Sequence, residues 1–202
     1  MDFSDAAESL QEVHAQIRRC RRCPLSRSRA KAVPGDGAPG ADVMFVGEAP
    51  GAEEDRQGRA FVGAAGRLLT QLLKLAGLDR DTVFITNVVK CRPPGNRDPQ
   101  PEEIAACNEY LLSQIALIMP KVICPLGRFA AQTLIEKNLS ISREHGKPRR
   151  MSGILYVPLY HPAAGLHQAK LIDSLEADFR ELRGIVAGEL KSATPEPGTT
   201  RA

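Results

Sequence analysis

The sequence predicts an α/β domain on a four-stranded, mainly parallel sheet, and three observations carry that expectation. Short apolar runs at 42–46, 82–89, 122–126 and 154–159 read as buried strands. Amphipathic helical stretches fall between them, and strands that alternate with helices pair in parallel under cover on both faces. A chain of 202 residues with 43% hydrophobic content is long enough to bury one such core.

The elements follow in order. Ser4 suits the cap of an opening helix whose Leu10, Val13 and Ile17 share a face, and which delivers Cys20 before Pro24 ends it. A Gly/Pro-rich stretch, 34–40, leads into the first strand, Asp42–Val46. After a glycine-bearing loop, Gly66–Ala76 is helical, with Leu68, Leu69, Leu72 and Leu73 inward and Gly77 as its stop. Thr82–Val89 is the second strand. Pro101 with Glu102 and Glu103 opens a helix that runs to Met119 and is closed by Pro120. Val122–Leu126 is the third strand and Gly127–Glu136 the helix after it. Ile154–Leu159 is the fourth strand, and Ala169–Leu190 a last amphipathic helix. Residues 1–190 thus read as one domain, and 191–202, rich in Pro, Gly and Thr, as a disordered tail.

A formal charge of +3 names no partner, but the distribution of charge is informative. From Arg18 to Lys31 the chain carries seven basic residues and no acid. Arg143, Lys147, Arg149 and Arg150 form a second run, and Lys90, Arg92 and Arg97 a third. Such patches favour anions, nucleic acid above all; the bland alternative for the first run is that it offsets the charge of nearby thiolates. No apolar run reaches membrane-spanning length. Asp2, Asp5, Glu8 and Glu12 argue against a leader peptide, so a cytoplasmic protein with reduced thiols is expected.

Two constellations carry chemistry. Cys20 and Cys23 form a chelating pair, and Cys91 and Cys107 complete a thiolate set that suits one metal centre tying three segments together. Zinc and an iron–sulfur cluster both remain open from spacing alone, whereas Cys124 lies in an apolar strand and reads as a small buried hydrophobe. The second constellation lies at the strand ends. In parallel sheets ligands bind outside the carboxyl ends of the strands. Gly47–Gly51 follows strand one, Asn87 lies near the end of strand two and His161 follows strand four, so polar or glycine-bearing motifs converge on one rim.

The segments GEAPGAEED (47–55), GRAFVG (58–63), TNVVKCRPP (86–94) and HPAA (161–164), taken with the four cysteines, closely resemble the family 4, iron–sulfur uracil-DNA glycosylases over about residues 20–185. The resemblance implies a three-layer α/β/α domain that removes uracil from DNA as a monofunctional enzyme of base excision repair. It further implies one [4Fe-4S] cluster on Cys20, Cys23, Cys91 and Cys107. His161 would donate to a uracil oxygen as charge grows on the leaving base. Asn87 would read the base, accepting from N3–H while donating to O4. Phe61 would stack on it; Glu48 and Ala49 would line the turn against base or sugar, with Glu48 placing the attacking water. Related glycosylases carry an Asp where this chain has Ala49. Glu54 would approach uracil C5, and Leu166 would fill the gap left by the extruded base. The continuation 165–169 departs from the family's usual pattern. His14, His145 and His167, outside these motifs, read as surface residues.

Rival readings are a relative that traps uracil-DNA covalently and an iron–sulfur electron carrier. The first lacks its inserted basic loop here, because Cys91–Arg97 passes directly to the Pro101 helix. The second leaves Asn87 and His161 without roles. The 47–51 loop has neither a phosphate-cradling Lys-Ser/Thr nor a dinucleotide fingerprint. The expected partner is uracil-containing DNA, with the tail as a place for a replication or repair protein. A monomer is expected because no long apolar surface stripe is left over.

Overall fold

Every residue of the strand Val43–Gly47 is buried, because alternate side chains enter two different cores. A computed structural model describes residues 3–192. Six strands form one sheet: β1 (Asp36–Gly37), β2 (Val43–Gly47), β3 (Phe84–Asn87), β4 (Val122–Pro125), β5 (Arg149–Met151) and β6 (Ile154–Tyr156). Their spatial order is β1-β3-β2-β4-β6-β5. The helices are α1 (Phe3–Arg19), α2 (Leu25–Ser28), α3 (Ala52–Gln57), α4 (Ala64–Leu75), α5 (Pro101–Ile118), α6 (Arg128–Leu134), α7 (Ile141–Glu144), α8 (Pro162–His167) and α9 (Ala169–Ser192).

Val43 and Phe45 of β2 pack with Leu69, Leu72 and Leu73 of α4 and with Phe179 and Leu182 of α9. Met44 and Val46 face the other way, toward Leu10 and Ile17 of α1 and Tyr110, Leu111 and Ile118 of α5. Phe45 stacks on Phe179, ring centroids 6.0 Å apart. Helices therefore cover both faces, which is the expected three-layer α/β/α arrangement.

The expected sheet of four strands is corrected to a mixed sheet of six. The four expected strands are β2, β3, β4 and β6, and all their mutual pairings are parallel. The two additional strands are antiparallel edges: β1 on β3, and β5 on β6. Neither carries a hydrophobic period. β1 is two residues inside the glycine-rich stretch, and β5 is the charged segment Arg149–Met151 in a hairpin turned by Ser152 and Gly153. Edge strands need bury no face, so hydrophobicity does not announce them.

Some boundaries moved for local reasons. Ser4 lies inside α1, not before it. Pro24 caps the short α2, while α1 has already ended at Arg19. At α5, Glu103 accepts from the Gln100 N–H at 2.8 Å and from both arms of Arg97, and Met119 closes the helix at φ +50°. Of the expected tail, residues 191 and 192 belong to α9, and 193–202 lie outside the described residues.

Candidate active site and cysteine centre

The carboxyl ends of β2 and β3 and the segment after β6 meet at a cavity of about 290 Å³. That is the small end of ligand cavities, suited to a single heterocyclic base. Glu48, Ala49, Phe61, Asn87 and His161, the five residues expected at the site, all line it, as does Glu54. Asn96, Ala65 and Ala163 line it as well and were not anticipated.

Asn87 ends β3 with its side chain buried, and its Oδ1 has no hydrogen-bond partner among the described residues. An unpartnered buried oxygen costs about 1–3 kcal/mol, so its persistence at a cavity marks a place for a donor from outside. Gly47 makes room for it: a Cβ there would lie 2.4 Å from Asn87 Oδ1 and 2.6 Å from Phe61 Cζ. Phe61 is itself strained at φ +52°. Arg80 holds it there, donating to the carbonyls of Ala60 and Phe61 at 2.7 and 2.9 Å. Gly66 permits the turn, since a Cβ on it would meet the Phe61 carbonyl oxygen. Glu54 braces the same loop by accepting from the N–H groups of Val62 and Gly63 at 2.9 and 2.7 Å.

His161 caps α8, its Nδ1 accepting from the Ala163 N–H at 3.1 Å. That bond assigns the proton of a neutral ring to Nε2. Burial holds the imidazole down at about 4, against a small opposing pull from Glu54, so the ring is neutral near pH 7. It lies 5.6 Å from the Phe61 ring, centroid to centroid. Burial, with the Asp98 carboxylate adding to it and Arg128 opposing, pushes Glu48 up to about 7. One neutral donor, one orphaned acceptor, one ring face and one carboxyl poised near neutrality thus share a single cavity.

The profile of the Uracil DNA glycosylase superfamily matches residues 34–183. A type-4 uracil-DNA glycosylase of Sulfurisphaera tokodaii is 49% identical over 187 residues, covering 88% of this chain and 85% of the relative. That of Archaeoglobus fulgidus is 46% identical (87% and 92% covered), and that of Saccharolobus solfataricus 45% (90% and 88%). The chain belongs to the type-4 uracil-DNA glycosylase family.

Of the four cysteines expected as ligands, Cys20 and Cys23 lie beyond α1, Cys91 beyond β3 and Cys107 on α5; none is in a disulfide. Donors surround the sulfurs. Arg29 Nη1 reaches Cys91 Sγ at 2.8 Å, the Lys90 N–H reaches Cys107 Sγ at 3.3 Å, and the Arg22 N–H reaches Cys20 Sγ at 3.4 Å. Such donors are what metal-bound thiolates require. Burial pushes the Cys91 thiol up to about 11 and Cys107 upward too, so a metal must displace protons to bind. Among the described residues no group of three or more His, Cys, Asp or Glu is drawn tightly enough for a single ion. Cys124 is fully buried in the core beneath α4 and α9, as expected.

Behind the uracil-glycosylase pocket lies a buried polar cluster that sequence reasoning missed. Lys90 Nζ, fully buried, donates to Thr86 Oγ1, the Asn87 carbonyl and Gln114 Oε1, each at 2.7 Å. Gln114 Nε2 in turn donates to the Pro34 carbonyl at 2.8 Å and lies 3.2 Å from His14 Nε2. His14 is therefore buried, not on the surface, and burial lowers it to about 4. Its position four residues after Leu10 and three before Ile17 placed it on the apolar face, which was the available signal. His145 is also no plain surface residue: it bonds Asp178 at 2.8 Å and packs on Tyr160. His167 is exposed.

The three basic runs fare differently. In the second, Arg149 pairs with Glu136 and Glu144, Arg150 with Glu189, and Lys147 with Glu144. In the third, Lys90 is internal, Arg97 is held by Glu103 and Arg92 donates to Asn96. The expectation that these two runs hold phosphates is thus weakened by their internal pairing. In the first run, among the described residues, only Arg22 is in an ion pair, with Glu109, and Arg29 serves Cys91 and the carbonyls of Arg18 and Cys20. No described helix is long and apolar enough to cross a membrane.

Proposed function

We infer that this chain is a monofunctional uracil-DNA glycosylase, releasing free uracil from DNA and leaving an abasic site. The observation that carries the reading is the unpartnered Asn87 Oδ1 in one small cavity with the Nε2–H of His161. Asn87 accepts from uracil N3–H and its amide donates to O4, while Phe61 covers the ring face. Cytosine, whose donor and acceptor are reversed at these positions, would leave two buried mismatches of about 1–3 kcal/mol each.

When the C1′–N1 bond breaks, its electron pair moves onto the base, and a neutral His161 donates toward the oxygen that gathers charge. Neutrality suits this role, since the donor stabilises developing charge without giving up its proton. Glu48, as carboxylate, orients the water that adds to C1′ and takes its proton. Leu166, 48% exposed on α8 beyond His161, would enter the gap left by the extruded nucleotide; its exposure supports that role.

Cys20, Cys23, Cys91 and Cys107 would hold a [4Fe-4S] cluster, whose chemistry here is a cross-link between three segments. Their donor-lined setting, with Cys91 and Cys107 buried, fits that group. The reading extends to residues 1–190 as one catalytic unit acting as a cytoplasmic monomer.

A uracil-containing oligonucleotide tests the reading. Uracil release is expected, with strand breaks only after alkali. Breaks without alkali would overturn the monofunctional claim, and a denaturant-resistant protein–DNA adduct would favour the trapping relative.

A further inference from the structure

Beside the pocket lies a second, larger concavity of about 760 Å³, lined by Arg18, Arg19, Arg21, Arg29, Lys31 and Gln57 with no acidic side chain. Its charge is unspent. The side chains of Arg18, Arg19, Arg21 and Lys31 have no ion-pair or hydrogen-bond partner among the described residues, unlike Arg149 and Arg150. Neutralising the cysteine centre does not account for it either, because among the described residues Arg29 is the cation whose side chain reaches a sulfur, Cys91 Sγ, while Arg22 reaches Cys20 only through its backbone N–H.

The groove is rigidly tied to the pocket through α3. Glu54 on that helix lines the cavity, while Gln57 and Gly58 at its end line the groove. Between Glu54 and Gln57 the helix rises only about 4.5 Å, so pocket and groove are neighbours along one short helix. The buried Asp55 fastens the opposite wall, accepting from the N–H groups of Ala30 and Lys31 at 2.9 and 3.3 Å.

We propose that this groove is the track for the sugar–phosphate backbone of substrate DNA flanking the extruded nucleotide. The proposal rests on the glycosylase reading for its substrate. Cationic side chains without partners meet phosphates at little cost, whereas Arg149 and Arg150 would first have to leave their carboxylates. Affinity from the groove is independent of sequence and strongly salt-dependent.

The test uses full-length, cluster-loaded protein and a long duplex carrying a 2′-fluorinated deoxyuridine that resists hydrolysis. Binding is followed by fluorescence anisotropy across a salt series. Arg18→Gln with Arg21→Gln is expected to flatten the log K against log[salt] slope by about 1.8, some 0.9 for each phosphate no longer neutralised. Lys31→Gln flattens it by about 0.9, and Gln57→Glu, which plants an acid in the groove, weakens binding about tenfold at moderate salt. The last two lie away from the cysteine pair and guard against a misassembled centre, which visible absorbance reports. Arg149→Gln with Arg150→Gln leaves the slope unchanged. A slope equal to the parent's in Lys31→Gln, together with undiminished binding by Gln57→Glu, overturns the groove. Excision from a single-stranded uracil trinucleotide, too short to fill the groove, is expected to be unaffected. If the parent releases no uracil from a long duplex carrying ordinary deoxyuridine, the glycosylase reading falls, while the binding slopes still decide the groove.

Discussion

Asn87 belongs to two neighbourhoods that treat polar groups in opposite ways. Behind it, Lys90 satisfies the Asn87 carbonyl, Thr86 and Gln114 at once, and Gln114 passes the network on to Pro34 and His14. In front, the Oδ1 of the same residue is left without a partner, Phe61 is held in a left-handed backbone conformation, and Glu48 is pushed toward neutrality. The rear is a finished structure, and the front is finished only by a ligand. A residue whose backbone is clamped while its side chain waits is well placed to read a base, because orientation is fixed before the base arrives.

Changes at the front should remove activity with little loss of stability. His161→Ala takes away the neutral donor and is expected to lower kcat about 10²–10³-fold. Asn87→Ala should cut kcat/KM by a similar factor. Its unfolding free energy should stay within about 1 kcal/mol of the parent, since deleting an orphaned acceptor also deletes its penalty. A large loss of stability in Asn87→Ala, read by denaturant unfolding, would place the residue in the rear network instead.

Gly47→Ala sharpens the same contrast by backbone means alone. Alanine fits a strand, but its Cβ would press on Asn87 Oδ1 and the Phe61 ring. Displacement of about 1 Å costs on the order of 10²-fold, so kcat/KM should fall that far while the far-ultraviolet spectrum is unchanged.

The pH profile distinguishes the two pocket titrations. Burial raises Glu48 to about 7, so the carboxylate is lost as pH falls through that value. kcat/KM should therefore drop about tenfold per pH unit below 7, and Glu48→Gln should abolish that dependence at a reduced plateau. His161, held down at about 4, stays neutral throughout this window and contributes no limb of its own. In stability the Glu48 sign is reversed: a raised folded pKa makes the folded state less stable as pH rises from about 4.5 through 7.

What the sequence disclosed follows the same division. β2, β3 and β4 were legible because burial on both faces leaves continuous apolar runs, β6 because its apolar run continues into the buried 157–159, and the rim followed from the rule for parallel sheets. Glu48, Phe61, Asn87 and His161 were legible through motifs that arrive at that rim. Asn96 was not: it reaches the cavity from a turn, Pro94–Asn96, at φ +55°, and nothing in PPGN fixes where such a turn points. The rear network was hidden for another reason. Its members stand far apart in sequence, and Lys90, a residue type almost never buried without partners, could be placed inside only once Gln114 and Thr86 were known to converge on it.

Lys90→Met gives the smallest expected effect on catalysis and the clearest on folding. Methionine keeps most of the volume but donates nothing, so the Asn87 carbonyl and Gln114 Oε1 lose their common donor in a fully buried place. The expected cost is about 1–3 kcal/mol of unfolding free energy, with the loss of a buried ammonium partly offsetting the orphaned acceptors. kcat should change only a fewfold, whereas KM rises, because the Asn87 backbone is less firmly clamped while His161 and Glu48 are untouched. A fall in kcat as deep as that of His161→Ala, at an unchanged unfolding midpoint, would move Lys90 from the rear of the molecule to the front. That outcome would end the division between a satisfied support and an expectant site.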